Sequence, residues 1–271
     1  MLEKRLRNMI DLHNHTTASD GIYSPSEVVA IKREMGRKYI AITDHDNMGG
    51  VEEAIEAGKE YGMTVIPGIE ISCADDVHML GYYVDHRHPE MQTFFDYVAK
   101  CRENRDRKII DNLNRLGYEV TFEEAKSLAT SVMTRLHIAR ALVNKGYFDV
   151  PHDAMETLLN KGMPAYEKKI SIDAKDALAL IKKAGGIAVL AHPGKTGVPD
   201  EMIAELATHG LIGIEAYHSG HSLEEIEHYK KLAGDLGVAI TVGSDFHGDL
   251  NRKLPAVAPF HEVCWILEGR R

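Results

Sequence analysis

Residues 40–46 read Ile-Ala-Ile-Thr-Asp-His-Asp, an apolar run that stops at three titratable side chains. Such a run predicts a buried β-strand whose end exposes Asp44, His45 and Asp46 together. Helix capping is the alternative for part of this group, since Asp46 or Asn47 could cap the helix that follows. Capping explains one of these residues and leaves His45 unexplained.

The same pattern, a strand run followed by polar residues, recurs on both sides of this segment. Helical stretches separate many of the runs, and this alternation predicts a parallel sheet with helical crossovers. Functional side chains in such folds gather at the carboxyl ends of the strands, where many of the 15 histidines fall. The strand runs are 9–13, 38–43, 64–71, 77–84, 187–191, 212–216 and 238–242. The helical stretches are 26–35, 50–61, 173–184, 201–209 and 223–236.

The middle of the chain breaks this alternation. Residues 89–168 contain no convincing strand run and hold a series of helical stretches instead. We therefore expect a helical insertion, or cap domain, over residues 89–168 between two portions of one barrel, residues 1–88 and 169–271. The helical stretches of the insertion are 90–116, 123–128, 135–144 and 152–159.

The composition is that of an ordinary water-soluble protein, with 271 residues, 44% hydrophobic and 27% charged. No apolar run approaches the roughly 18 residues of a membrane-spanning helix. Residues 1–7 are basic with no apolar stretch behind them, so neither a membrane partner nor a secretory signal is expected. Cys73, Cys101 and Cys264 are few and far apart, which predicts reduced thiols in a cytoplasmic protein. The net charge of −9 opposes a broad surface for long nucleic acid.

Two strand tips carry pairs of polar residues with a spacing of two. Residues two apart on a strand point to the same face, so His13 and His15 can converge on one ion. The alternative is two unrelated polar residues where a strand meets a loop. Asp245 and His247 repeat the same spacing near the end of the chain.

Glu70 lies inside an apolar strand run, where an unpaired carboxylate is costly to bury. Metal ligation removes that cost, and a carboxylate can bridge two ions; a salt bridge is the alternative. His78 lies in the next run, and alone it is typical of an ordinary strand-face histidine. His192 stands at the tip of another run. Each tip is weak evidence by itself, but five on one chain are hard to assign to chance.

Together these motifs resemble the polymerase and histidinol phosphatase (PHP) superfamily of metal-dependent phosphoesterases. They occur in the family's order and span nearly the whole chain. The resemblance implies an α/β fold, a distorted seven-stranded (β/α) barrel, with the helical insertion described above. The matching motifs are Asp-Leu-His-Asn-His at 11–15, Thr-Asp-His-Asp at 43–46, Pro-Gly-Ile-Glu at 67–70, Ala-His-Pro at 191–193 and Gly-Ser-Asp-Phe-His at 243–247.

The resemblance also implies two or three divalent metal ions and their ligands. Nitrogen and carboxylate ligands suit Mn²⁺, Zn²⁺ or Fe²⁺. Asp20 departs from the family pattern, because many relatives carry histidine there. The implied ligands are His13, His15, Glu70 and Asp245 for the first ion, Glu70, His78 and His192 for the second, and Asp20, His45 and His247 for the third.

The insertion resembles that of one branch of the superfamily, which dephosphorylates nucleotides such as nucleoside 3′,5′-bisphosphates. Related members trim RNA from its 5′ end. Residues 134–140 resemble this branch's signature, in which the Arg and His face the substrate, so Arg135 and His137 are expected to contact it. Residues 217–222 resemble its segment before the sixth helix. Arg135 and Arg140 could instead be solvated helix residues, and we favour substrate contact for Arg135 only.

The expected activity is hydrolysis of phosphate monoesters of a nucleotide, a nucleoside 3′,5′-bisphosphate or a short RNA or DNA oligonucleotide, by water that the ions activate. Arg135 would clamp the phosphate, with Lys195 as a second phosphate-binding candidate. His218 or His221 would protonate the leaving group. The alternatives are a histidinol-phosphate phosphatase, a metal-dependent amidohydrolase and a non-catalytic metal-binding PHP module. Basic residues that could attract a short substrate, or form the wet face of a helix, are Arg102, Arg105, Arg107, Lys108 and Arg115.

Overall fold

The computed structural model of the chain describes residues 9–129, 133–168, 172–250 and 258–269. The basic residues 1–7, in which we expect no secretory signal, lie outside these ranges. In the described part of the chain no helix is long and apolar enough to cross a membrane. The described residues fall into two compact units: those within 1–92 and 171–271 form the first, and those within 93–170 form the second.

Seven strands form one sheet in the first unit, and they follow chain order around it. The amide of Leu12 donates to the carbonyl of Val242 (2.9 Å), which joins the first strand to the last. The sheet is therefore a nearly closed barrel, and the predicted distorted seven-stranded (β/α) barrel is confirmed. The strands are β1 (Ile10–Asp11), β2 (Tyr39–Ile42), β3 (Thr64–Ser72), β4 (His78–Tyr82), β5 (Ile187–Leu190), β6 (Gly213–His218) and β7 (Ala239–Gly243).

Helices connect most of these strands, because a crossover between parallel strands usually contains one. Ser24 caps the first helix by accepting a hydrogen bond from the amide of Glu27 (3.3 Å). The helices are α1 (Pro25–Glu34), α2 (Val51–Tyr61), α3 (Pro89–Arg115), α4 (Phe122–Lys126), α5 (Arg135–Asn144), α6 (Pro151–Ala154), α7 (Ala174–Lys183), α8 (Pro193–Thr196), α9 (Asp200–Thr208), α10 (Leu223–Leu236) and α11 (Phe260–Val263).

One strand runs against the others, because β4 is antiparallel to both β3 and β5. The sequence pattern predicts a parallel sheet throughout, and for β4 that prediction is wrong. Only a short 3₁₀ turn, Ala74–Asp76, separates β3 from β4, and a connection of this length makes a hairpin rather than a crossover. The reversal pairs His78, the first residue of β4, with Ser72, the last residue of β3. His78 therefore lies at the barrel rim formed by the carboxyl ends of the other strands.

Apolar side chains hold this barrel together. All four residues of β5 are buried, and Leu12, Ile66, Leu80 and Val189 belong to one buried cluster. Each buried side chain of this size contributes about 1.5–3 kcal/mol relative to exposure. The phenol of Tyr82 donates to the carbonyl of Leu12 (3.1 Å), so even the polar atom of this core residue is satisfied. The packed barrel is a rigid support for the side chains at its rim.

The second unit is helical, and it has a buried apolar cluster of its own. α3 carries the chain into it, and α4 to α6 follow, with a π-helical turn, Met155–Leu159, after α6. The predicted helix 135–144 coincides with α5. The expectation that residues 89–168 form an insertion that acts as a cap domain stays a prediction. Members of the cluster include Ile109, Leu113, Phe122, Ile138 and Leu142.

Gly243, at the end of β7, has no room for a side chain. A Cβ atom there would overlap the carboxylate of Glu215 and the Cβ atom of His13. The variant Gly243→Ala is expected to lower the free energy of unfolding by about 2 kcal/mol, because overpacking displaces both neighbours. Urea denaturation measures this difference.

Gly234→Ala is the matched control. Gly234 is exposed in α10, and nothing lies within 4 Å of the position its Cβ atom would take. Alanine there is expected to raise the free energy of unfolding by about 0.5 kcal/mol, because it favours the helix. Equal unfolding midpoints for the two variants would contradict the tight packing around Gly243.

Candidate metal centre

Polar side chains from all seven strands converge at one rim of the barrel. Some come from the strands themselves, most others follow a strand by two to four residues, and Asp20 follows β1 by nine. They include every residue that the sequence analysis proposes as a metal ligand. The converging residues are His13, His15, Asp20, His45, Glu70, His78, His192, Glu215, His218, Asp245 and His247.

Backbone turns at three strand ends direct these side chains. Asp46 (φ +52°), His192 (φ +25°) and Asp245 (φ +53°) adopt the left-handed region that non-glycine residues rarely occupy. Such strain is tolerated where the surrounding structure holds it, and it is frequent at functional sites. The capping alternative for Asp46 does not hold, because α2 begins after Gly50 and the Asp46 carboxylate accepts a hydrogen bond from the amide of Ser72 (2.7 Å).

Glu70 occupies the centre of the rim, and its side chain is fully buried. Its two oxygen atoms face different histidines. The Oε2 atom lies near three ring nitrogens, at 3.2 Å (His13), 3.2 Å (His15) and 3.0 Å (His45). The Oε1 atom lies near two others, at 2.8 Å (His78) and 3.0 Å (His192). Glu70 therefore stands between two groups of potential ligands.

Asp245 divides its contacts in a similar way. Its Oδ1 atom lies near ring nitrogens of three histidines, at 3.6 Å (His13), 3.3 Å (His15) and 3.4 Å (His247). Its Oδ2 atom faces the other way, 2.7 Å from Nζ of Lys195 and 3.6 Å from Nε2 of His218. Asp245 thus joins the histidine cluster to Lys195 and His218. These two residues form an edge of the rim that we call the cationic edge, because of the lysine.

Several combinations of these side chains bring their ligand atoms within 4.8 Å of one another. One combination is the ligand set implied for the first ion, and another contains the set implied for the third. Glu70 and His78 of the second set group with His45, while His192 reaches the same Glu70 oxygen as His78. The combinations are His13, His15, Glu70 and Asp245; His15, Asp20, His45 and His247; His45, Glu70 and His78; and His13, Glu215 and His218.

Many buried polar atoms at this rim have no hydrogen-bond partner among the described residues. They include Nε2 of His13, both ring nitrogens of His15, Nδ1 of His45, Oε2 of Glu70 and Nδ1 of His192. Leaving each such atom unpaired costs about 1–3 kcal/mol. Coordination of divalent ions would satisfy most of them, and imidazole and carboxylate are suitable ligands for such ions. The residues at the rim therefore fit a cluster of divalent metal ions.

Charges within the cluster are strongly coupled. Burial raises the pKa of Glu70, but the histidines around it, His45 above all, hold this pKa well below its usual value. Burial lowers the pKa of His15, yet contacts with Asp245 and Glu70 raise it to about 9. The pKa of His13 is likewise raised against the effect of burial by neighbouring carboxylates. Burial lowers the pKa of His45 to about 4 and also lowers that of His192, so the raised pKa values that favour a protonated ring beside these carboxylates are those of His13 and His15.

Glu215 is a residue of this rim that the sequence analysis did not single out. Its carboxylate is fully buried, lies 3.0 Å from Nδ1 of His13 and accepts a hydrogen bond from the amide of His192 (3.0 Å). Burial raises its pKa, but His13 and other histidines lower it to about 2. Glu215 thus orients His13 and supports the strained turn at His192. A carboxylate inside the apolar run 212–216 is the same signal that identified Glu70.

A family model described as the PHP domain matches residues 11–240. The chain belongs to the PHP family. The predicted resemblance is confirmed, and so is the predicted class of enzyme, a metal-dependent phosphoesterase.

Two curated relatives and one solved structure are similar to this PHP protein over most of its length. It is 34% identical to the 5′-3′ exoribonuclease of Haemophilus influenzae, over 88% of this chain and 89% of that protein. It is 30% identical to the 3′,5′-nucleoside bisphosphate phosphatase of Chromobacterium violaceum, over 94% and 93%. A structure from Bifidobacterium adolescentis assigned as a metal-dependent phosphoesterase is 29% identical, covers 92% of both chains and has a TM-score of 0.81. Relatives carry several different activities, so similarity alone does not choose the substrate.

The two histidines predicted to protonate the leaving group differ in their surroundings in this PHP protein. Both ring nitrogens of His221 contact backbone, at the carbonyl of Ala216 (2.9 Å) and the amide of Gly194 (3.1 Å), which favours a structural role. Nδ1 of His218 accepts a hydrogen bond from the amide of Gly220 (2.9 Å). A general acid would need a proton on that nitrogen as well as on Nε2. The geometry therefore favours His218 as a hydrogen-bond donor through Nε2 rather than as the general acid.

The predicted substrate residues of the insertion belong to the second unit. Arg135 is half-buried at the start of α5, where its guanidinium donates to the carbonyl of Leu159 (3.1 Å). Nδ1 of His137 accepts a hydrogen bond from the amide of Thr134 (3.0 Å), so this ring caps the same helix. Substrate contact by either residue remains a prediction.

Binding of Mn²⁺ to metal-stripped protein is expected to release protons. The raised pKa values of His13 and His15 favour protonated rings at about pH 7.5, and a ring nitrogen must lose its proton to bind metal. Titration calorimetry in buffers of different ionisation enthalpy should detect about two protons released per protein. The release should decrease at about pH 10, above the pKa of His15.

The variant His228→Gln is a suitable control, because His228 is exposed and pairs with Asp200 (2.9 Å) away from the rim. It should release as many protons as the natural protein. Proton release that is absent at about pH 7.5, or equal at both pH values, would contradict the charge states described for the rim.

Proposed function

We propose that this PHP protein hydrolyses phosphate esters of a nucleotide, a nucleoside 3′,5′-bisphosphate or a short oligonucleotide, with two or three Mn²⁺, Zn²⁺ or Fe²⁺ ions bound at the rim. The observation that carries this proposal is the position of Glu70, with three histidines beside Oε2 and two beside Oε1. A carboxylate so placed is suited to bridge two ions. Ions bound there would lower the pKa of water and stabilise charge developing on the phosphate.

The proposed ligand sets follow the resemblance, and the distances support them. His45 has Nδ1 3.0 Å from Glu70 and Nε2 3.8 Å from Asp20, and it also groups with Glu70 and His78, so it could serve the second ion or the third. Asp20 is the most exposed of the ligands, at 45% of its side chain. The sets are His13, His15, Glu70 and Asp245; Glu70, His78 and His192; and Asp20, His45 and His247.

The cationic edge of the rim is the proposed binding site for the reacting phosphate. Lys195, whose side chain is 46% exposed, contributes a positive charge beside Asp245. His218 contributes a hydrogen-bond donor, Nε2, which is buried and has no hydrogen-bond partner among the described residues. Together the two groups could hold two phosphate oxygens, with charge assistance from the lysine.

The choice of a nucleotide rests on the second unit. Arg135 is half-buried at the start of α5, and burial, followed by the charge of Arg105, lowers its pKa. Arg105 already pairs with Asp106, so Arg135 is the guanidinium proposed to bind a further phosphate of the substrate, and binding energy from such a remote group can position the reacting one. A smaller monoester such as histidinol phosphate has no second phosphate for this contact.

A non-catalytic PHP module is the weaker alternative, because such a module would have lost ligands. All nine predicted positions keep a ligand-type side chain and meet at the rim. The cytoplasm is the proposed compartment, since the three cysteines, all in the described part of the chain, form no disulfide.

Side-by-side kinetics test the proposed substrate. With Mn²⁺ present, kcat/KM for adenosine 3′,5′-bisphosphate is expected to exceed that for histidinol phosphate by about 100-fold, the typical size of a lost charge-assisted contact. Chelation should abolish both activities. Equal kcat/KM values would remove the nucleotide assignment, and activity that survives complete chelation would remove the metal-dependent mechanism.

Glu70→Gln is expected to reduce kcat more than Asp20→Asn, because it removes a charge placed between two ligand groups. Asp20 belongs only to the third set, although it also lies 3.7 Å from His15 of the first. Measured with p-nitrophenyl phosphate, the loss should be about 1,000-fold for Glu70→Gln and about 10-fold for Asp20→Asn. Metal analysis should show fewer bound ions in the first variant. The reverse order of kcat losses would contradict the proposed ligand sets.

A further inference from the structure

A buried lysine lies directly behind the metal-binding rim. Lys32 of α1 is only 1% exposed. Burying an ammonium group is costly unless it is paired and hydrogen-bonded. Its Nζ atom donates to Oδ2 of Asp11 (2.7 Å) and to Oγ of Ser244 (3.0 Å), and it lies 4.2 Å from the ring centroid of Phe246. The partners come from β1 and from the segment that follows β7.

Asp11 connects these two parts of the barrel. Its Oδ1 atom accepts a hydrogen bond from the amide of Ser244 (2.9 Å), and its Oδ2 atom accepts one from the Ser244 hydroxyl (2.8 Å). Lys32 supplies the opposite charge for this buried carboxylate. Asp11 and Ser244 are therefore joined by two hydrogen bonds across the seam between β1 and β7. The ammonium group of Lys32 contacts both residues.

The residues attached in this way surround Asp245. Ser244 precedes it, Phe246 follows it, and Asp245 itself has a positive φ of +53°. On the other side, the amide of Phe246 donates to the carbonyl of His13 (3.3 Å), and its carbonyl accepts from the amide of His15 (2.9 Å). The turn that presents Asp245 is therefore held from β1 on one side and from Lys32 on the other.

We propose that Lys32 is a positioning residue for the metal centre: by pairing with Asp11 and holding Ser244 and Phe246, it keeps Asp245 in the geometry that binds an ion. This inference rests on the proposed function, since it concerns the same ions. In this role Lys32 would act through Asp11, Ser244 and Phe246 rather than on the metal or the substrate itself. Its expected effect is that of a side chain that orients a metal ligand without binding the metal. Loss of such a side chain typically weakens metal binding by about 10–100-fold.

The test measures metal affinity rather than activity. Lys32→Met keeps most of the length of the unbranched side chain but removes its charge and its hydrogen bonds. Titration of metal-stripped protein with Mn²⁺ is expected to give a Kd for the tightest site about 10–100-fold higher in Lys32→Met than in the natural protein. Co²⁺ should bind with an altered visible spectrum, because the position of the Asp245 ligand changes.

Val28→Ala is the matched control. Val28 is fully buried on the same face of α1, one turn before Lys32, so its truncation destabilises the same helix contact without touching the Asp11 pair. Its melting temperature should fall as well, while its Kd for Mn²⁺ should stay within about 3-fold of the natural value. A folded Lys32→Met protein with natural affinity would overturn the proposal. An equal loss of affinity in both variants would also overturn it.

Ser244→Ala decides the matter if Lys32→Met does not fold. It removes one hydroxyl from the network and leaves the Lys32–Asp11 pair in place. A Kd raised by about 3-fold or more supports the proposal, and an unchanged Kd overturns it. Natural protein that binds no Mn²⁺ would instead remove the proposed function, so the two failures are distinguishable.

Discussion

The buried carboxylate of Glu70 is the interaction on which the rest of this structure depends. A carboxylate with no access to water needs positive charge or hydrogen-bond donors close to both oxygens. The barrel supplies five histidines for this purpose, three on one side of Glu70 and two on the other. Each histidine lies at a strand end or shortly after one. The geometry of the barrel therefore sets the electrostatic surroundings of Glu70.

The reversed strand β4 shows how the fold meets this demand. In a parallel strand, His78 as first residue would lie about 13 Å from the rim, at the other end of the strand. The hairpin that follows Ser72 brings it to 2.8 Å from Glu70 instead. A short, two-aspartate turn therefore both distorts the barrel and completes the set of histidines around its central carboxylate.

A further set of buried side chains lies behind the candidate metal ligands and holds those ligands in position. Glu215 orients His13 and supports the turn at His192, and the Asp11–Lys32 pair joins the two strands that close the barrel. These groups are as deeply buried as the central ligands His13 and Glu70. Their own pairing satisfies them, so the energetic cost of burial is offset locally while the ligand atoms stay available.

The sequence by itself determined the alternation of strands and helices, the helical stretches in its middle and the residues at the strand tips, because strand runs, helical periodicity and motif spacing are local signals. The barrel followed from the resemblance of these motifs to the PHP family. Glu215 was predictable in principle, by the signal that identified Glu70. The direction of β4, the pairing of Lys32 with Asp11 and the engagement of both His221 nitrogens were not. Each depends on contacts between residues far apart in the chain, which only the tertiary structure brings together, and burial then decides which polar groups pair and which remain to bind.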